Sequence, residues 1–255
     1  IKRVRGQFFK GLARMIEKNY LGCRDENVFF GLLLSFHDKA DDNGKASPAE
    51  SLNLAKMKTL VRELNKKYPR DTQIFSFFFR DRRYNESEST YMAWERKRGM
   101  IIEFNRLLKT GDDNGFSYID TKRSILQTIK YVITIDHNEL IPKDAAKKLI
   151  AAITHPLNTP RVNRELGIVE EGFGIIQPRM ASIAHDGVKT ILNSYVVGLS
   201  GWDSYSNMVS NICQDVFGYG LFLGKGIYDV DVLYNLLDGR FPNNTILSHD
   251  HLEGL

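Results

Sequence analysis

Two short apolar runs with a helical pattern between them constrain the fold of this chain more than any other feature. Residues 28–35 (VFFGLLLS) and 73–79 (QIFSFFF) are nearly continuous apolar stretches bounded by polar residues. Runs of that kind mark buried strands of a parallel sheet, which is covered on both faces, rather than half-exposed strands, which alternate. Parallel neighbours need a crossover connection, and residues 48–67 supply a helical pattern of the right length. Pro48 suits the first turn of that helix, where its missing N–H is harmless. The turn-forming DDNG at 41–44 separates strand from helix.

The same reading continues along the chain. Residues 131–135 (YVITI) form a third strand, and an alanine-rich helix follows at 143–153. Val4, Phe8, Leu12, Met15 and Ile16 recur at helical spacing within residues 1–20. Further helices are expected at 98–108 and 183–205, a charged loop at 80–89 and a short apolar piece at 174–176. Strands alternating with helices predict an α/β domain with a mostly parallel central sheet flanked by helices. A single domain over residues 1–255 is expected, with no repeat and no long linker.

Composition narrows the function. The 35 Lys and Arg against 31 Asp and Glu give a net charge of +4, too small and too scattered for a nucleic-acid-binding face. Cys23 and Cys213 lie far apart and match neither a disulfide framework nor a metal motif, which fits a reducing compartment. The longest apolar run, 28–34 with Phe36, falls far short of the roughly 20 residues of a membrane span. No signal peptide is visible. The chain starts at Ile1 and reads as a piece cut from a longer protein.

Ligands of α/β sheets sit at the carboxyl ends of strands, which puts Asp38 and Asp136 at one edge. The step Asp136-His137-Asn138 is a turn after a strand, or a pair of oxygen ligands for a divalent cation and its diphosphate. At the other end of the chain, Ser248-His249-Asp250-His251-Leu252-Glu253-Gly254 is a polar terminus, a metal-binding cluster, or the source of a general base, Asp250 or Glu253. Gly224-Lys225-Gly226-Ile227-Tyr228-Asp229 reads as a turn or a backbone approach to a ligand; Tyr219 and Gly226 break the phosphate-loop pattern. Trp94-Glu95-Arg96-Lys97-Arg98-Gly99 sets three cations before a helix, as a solvated face or toward phosphates. Phe77–Phe79 belongs to the core, and His155 and His185 are structural.

Taken in order, these segments resemble a known family. ITIDHNELIPKDAAKKLIAAITHPLNTP (133–160), FGIIQPR (173–179), QDVFGYG (214–220), GKGIYDVD (224–231) and GRFPNNTILSHDHLEG (239–254) are similar to the glycosyltransferase domain of cyclic β-1,2-glucan synthases. So are WERKRG and EFNRLL within 94–108. The resemblance covers nearly the whole chain and implies a GT-A-like fold related to the processive, cellulose-synthase-like enzymes. It implies an inverting glucosyltransferase that uses UDP-glucose with Mg²⁺ or Mn²⁺ and extends a glucan acceptor. The parent would be a multi-pass protein of the bacterial inner membrane, with this domain on the cytoplasmic face and the membrane contact made elsewhere in the chain. Residue by residue, Asp136 and Asn138 fall at the metal and diphosphate position, Asp38 and Lys97 near the nucleotide, Gln177 near the donor sugar, and Asp250 at the base.

Relatives usually carry Asp where this chain has Asn138, and often Asp where it has Ser35; Glu139 is the nearest carboxylate to compensate. The chain is also expected to begin after the first strand of that fold and to end before the Gln-x-x-Arg-Trp-type element of processive relatives. These departures define one rival, a degenerate domain of the same fold acting as a scaffold. A metal-dependent phosphohydrolase built on His249-Asp250 is another, but such enzymes are all-helical.

Overall fold

The computed structural model describes residues 6–39, 42–179, 216, 222 and 224–245. Helix α1 (Gly6–Gly22) leads into β1 (Phe30–Ser35), α2 (Pro48–Lys67) and β2 (Phe75–Arg80). Strands β1 and β2 are parallel and in register from Phe30–Phe75 to Ser35–Arg80, so the expected strand–helix–strand unit forms. Ser47 and Glu50 close a capping box at the start of α2, with Pro48 in its first turn. At the far end, the Asn65 side chain exchanges two hydrogen bonds with the backbone of Phe75 and ties α2 to the start of β2.

Strand β2 lies between β1 and β5 (Tyr118–Ile119) and is buried along its whole length. Its side chains alternate between two cores. Phe75, Phe77 and Phe79 pack on Leu12 and Ile16 of α1 and on Met57 and Val61 of α2. Phe78 points the other way, into a cluster with Ile101, Leu107, Tyr228 and Leu233. A run of three phenylalanines is what a strand with an apolar layer on each face requires. Strand β1 is only half-buried, because among the described residues it forms the edge of this sheet.

The rest of the sheet arrangement corrects the expectation of a mostly parallel sheet. The charged segment after β2 folds into an antiparallel hairpin, β3 (Arg83–Asn85) with β4 (Thr90–Met92). Helix α3 (Arg96–Thr110), β5, the short α4 (Arg123–Leu126) and β6 (Tyr131–Thr134) follow. After α5 (Ala145–Ile153) come the hairpin β7 (Arg161–Asn163) and β8 (Ile168–Glu171), then β9 (Ile175–Ile176), β10 (Gly226–Asp229) and α6 (Val230–Leu237). Strand β10 runs between β6 and β9 and is antiparallel to both. Among the described strands, β1–β2 is therefore the parallel pair in a mixed α/β fold. Segment 224–229, read as a turn or glycine loop, is a bend followed by a buried strand. The helix expected at 183–205 lies outside the described residues.

Cys23 is buried, and among the described residues it forms no disulfide. None of the described helices is long and apolar enough to cross a membrane.

Candidate functional site

The site is built from the carboxyl ends of β1 and β6 and the first turn of α3. A helix N-terminus carries a partial positive charge, so sequences chosen for stability place acidic residues there. Helix α2 does so with Glu50; α3 instead opens with Arg96, Lys97 and Arg98 and has no acidic residue in its first turn. Of these three, Arg98 is neutralised by Glu95 at the N-cap, which leaves Arg96 and Lys97 as the cations presented at this end.

The turn ahead of α3 is unusual in conformation and firmly held. Glu95 and Arg96 both have left-handed backbones, φ 47° and 48°. Arg80, buried at the end of β2, donates to the carbonyls of Trp94 and Arg96 at 2.6 and 3.0 Å and pairs with Glu103 at 2.5 Å. Gly99 is required beside it, since a Cβ there would lie 1.9 Å from the Trp94 carbonyl oxygen. The buried carboxylate of Glu95 pairs with Arg98 at 2.5 Å and accepts the backbone N–H of Asn244 at 2.7 Å. Arg98 also lies over the Phe241 ring, 5.1 Å from its centre. The start of the FPNNTILSHDHLEG segment is thus docked against the turn that presents Arg96 and Lys97.

Those two consecutive cations reach two different strand ends. Arg96 pairs with Asp38, three residues past β1, at 2.9 Å. Lys97 pairs with Oδ1 of Asp136, two residues past β6, at 3.4 Å. Both pairs are substantially exposed and contribute about 0–1 kcal/mol each to stability, so the fold does not depend on them.

Asp136 has a second cation that the sequence reading had not assigned. Lys225 Nζ sits 3.2 Å from Asp136 Oδ2 and 2.6 Å from Glu139 Oε1. The other Glu139 oxygen accepts the Asp136 N–H at 2.7 Å, which closes the turn after β6. Asn19 of α1 holds the following residues, accepting from Ile141 N–H and donating to the Glu139 carbonyl. Burial opposes ionisation of Asp136, but the Lys97 and Lys225 ammonium groups outweigh it and keep its carboxyl below the ordinary range. Glu139 first, and Asp136 with it, raise Lys225 above the ordinary ammonium value despite burial.

The other expected residues are placed as follows. Asn138 is exposed in the turn after β6, next to His137. Gln177 follows β9, and its Cα would lie 3.1 Å from a Cβ on Gly226, so its backbone passes over the strand that starts beside Lys225. Asp250, with Ser248, His249, His251 and Glu253, lies outside the described residues. His155 caps the short helical turn Pro156–Asn158, accepting the Leu157 N–H at its Nδ1.

One carboxylate and one amide oxygen two residues apart do not form a closed cage, and among the described residues no three His, Cys, Asp or Glu side chains converge on a metal position. The pair Asp136 and Asn138 does match the partial set with which a protein holds Mg²⁺ or Mn²⁺ alongside phosphate oxygens of a substrate. Both oxygens of Asp136 already face ammonium groups, so such an ion would have to displace at least one of them.

Glu95, Arg98 and Lys225 were missed as site-building residues because a charge run and a glycine pair look alike whether solvated or buried. The one available signal was the reversed charge preference at the start of α3.

No family model matches the chain. It is similar to the cyclic β-(1,2)-glucan synthase NdvB of Rhizobium meliloti (strain 1021), with 34% identity over 245 residues, 95% of this chain. The chain spans 8% of the length of that relative. The match runs through every element that builds the cation-lined edge, from β1 through α3 and β6 to β10, and on this ground the chain belongs to the cyclic β-(1,2)-glucan synthase family.

Proposed function

We propose that this chain is a GT-A-like glucosyltransferase domain whose donor, UDP-glucose, binds where α3 meets the ends of β1 and β6. The observation that carries the reading is the pair of consecutive cations, Arg96 and Lys97, bridging Asp38 and Asp136 at a helix N-terminus. Anions bind at such termini because free backbone N–H groups and the helix dipole face them, and two added cations fit a diphosphate. The relative's printed name, a glucan synthase, supports a sugar donor and a glucan acceptor.

In this reading Asp38 faces the nucleoside, Lys97 and Arg96 the diphosphate, and Gln177 the donor sugar. Asp136 and Asn138 would hold a Mg²⁺ or Mn²⁺ ion, which when bound offsets charge on the leaving diphosphate. An acceptor hydroxyl attacks the anomeric carbon from the face opposite the leaving group. The new C–O bond forms as the bond to the phosphate oxygen breaks, UDP leaves with that electron pair, and Asp250 takes the hydroxyl proton. A positioned carboxylate base is worth about 10²–10⁴-fold in rate. Inversion follows from the single displacement. The acceptor would be a growing β-1,2-glucan, and the parent protein would hold the domain at the cytoplasmic face of the inner membrane.

Calorimetric titration of UDP-glucose tests the reading. The wild-type chain is expected to bind it, and Lys97→Glu, which reverses one of the two cations, is expected to weaken binding by about tenfold or more. Equal affinity in the two proteins, or no binding to wild type, would reject the site. A second reading, a scaffold domain with a disabled site, is favoured by one observation: Asn138 is neutral while both oxygens of Asp136 are held by lysines.

A further inference from the structure

We propose that Lys225 is a diphosphate-binding residue of the donor site, held between Asp136 and Glu139 until an anionic ligand takes it. The inference rests on the donor-site reading above and adds to it a residue and an exchange of partners.

The placement follows from the strand register. Strand β10 is antiparallel to β6, with Gly226 opposite Thr134. Lys225 therefore stands beside the residue just before Asp136, at the ligand end of β6. Glycines flank it on both sides. Gly224 has a left-handed backbone, φ 70°, and a Cβ on Gly226 would lie 2.5 Å from the Ile176 carbonyl oxygen. The backbone is drawn in tightly there, and the lysine projects from it toward the carboxylates.

Other polar groups of GKGIYDVD have structural tasks. Tyr228 donates to Asn105 at 2.9 Å inside the core. Asp229 caps α6, accepting from the N–H groups of Asp231 and Val232. Asp231 pairs with Lys109 across to α3 at 2.6 Å. Lys225 makes part-buried ion pairs, with its side chain 25% accessible and that of Glu139 16%. An ammonium gives up carboxylate partners for phosphate oxygens at small net cost, since both are charge-assisted bonds of similar strength. Lys97 approaches Asp136 from its other oxygen. The two ammonium groups thus flank one carboxylate, an arrangement suited to the separated charges of a diphosphate rather than to a single phosphate.

The test compares UDP with UMP by calorimetry, in the wild-type chain and in two variants matched for melting temperature. Lys225→Met is expected to weaken UDP about tenfold and UMP less than about threefold. Glu139→Gln removes the competing charge yet still offers an acceptor to the Asp136 N–H, and it is expected to tighten UDP about threefold. Opposite signs distinguish a ligand-binding lysine from a structural one, for which both variants would weaken binding. UDP affinity unchanged within about twofold in Lys225→Met, or weakened in Glu139→Gln as much as in Lys225→Met, would overturn the inference. If Lys225→Met melts lower than wild type, Lys225→Gln carries the same comparison. A wild-type chain that binds neither UDP nor UDP-glucose, with or without Mn²⁺, rejects the donor-site reading and this inference with it. Binding to wild type with no loss in Lys225→Met rejects this inference alone.

Discussion

Replacing Glu50 by Gln probes the contact that fixes the loop carrying Asp38. The Arg82 guanidinium, with its side chain fully buried, donates to the carbonyls of His37 at 2.5 Å and Gly44 at 3.4 Å and pairs with Glu50. Glu50 also accepts from the Ser47 N–H at 2.8 Å and lies 3.3 Å from Lys39. Burial pushes its carboxyl up, but Arg82 and the Ser47 bonds outweigh that and bring it down from 4.5 to about 2. A carboxyl lowered that far on folding would add about 3 kcal/mol at neutral pH, and screening on its exposed side reduces this to about 2 kcal/mol. The Gln side chain keeps the capping acceptor but leaves Arg82 without its countercharge, so the variant is expected to melt about 4–8 °C lower at pH 7. Because the folded value is depressed, the contribution is complete above the ordinary value of 4.5 and lost as pH falls through about 2. At pH 3 less than about half of the difference remains. Thermal melts of both proteins from pH 7 to pH 3 check this, because the other carboxylates titrate alike in both and cancel. A difference at pH 3 as large as at pH 7, or none at pH 7, would refute the assignment of Glu50 as the charge partner of Arg82.

Two further substitutions address the site. Asn138→Asp adds a carboxylate to the turn after β6 and is expected to make UDP-glucose binding at least about fivefold more dependent on Mn²⁺, read by titration with and without EDTA; no change would remove Asn138 from the ligand set. Gly99→Ala drives a methyl into the Trp94 carbonyl, which already accepts from Arg80. It is expected to cost about 3 kcal/mol in a urea melt and to weaken UDP-glucose binding with it; a variant as stable as wild type would show that the turn tolerates displacement.

Helix α2 was legible almost to the residue from its helical pattern and Pro48, and the structure adds the Ser47–Glu50 capping box, whose partners also lie within one turn. Strands β1 and β2 were legible as a parallel pair for a similar reason: apolar runs of that length around one helix leave few alternatives. Strand β10 was not. Gly224 and Gly226 resemble a turn, and only the pairing of 226–229 with β6 and β9 shows that Gly226 opens a buried strand. The hairpin β3–β4 was hidden by its charges, since the buried Arg82 reaches Glu50 and the half-exposed Arg83 reaches Glu103, both far along the chain.

The sequence by itself determined the α/β class, the central apolar strand, the family, and the oxygen-bearing residues at the ends of β1 and β6, because each depends on periodicity, local capping or an ordered set of short motifs. Only the tertiary structure decided that the sheets are mixed, that Arg96 and Lys97 span Asp38 and Asp136, and that Lys225 lies between Asp136 and Glu139. The physical reason is range. A helix cap is complete within four residues, whereas Lys225 meets Asp136 across 89 positions of sequence, through an antiparallel register that no local pattern encodes.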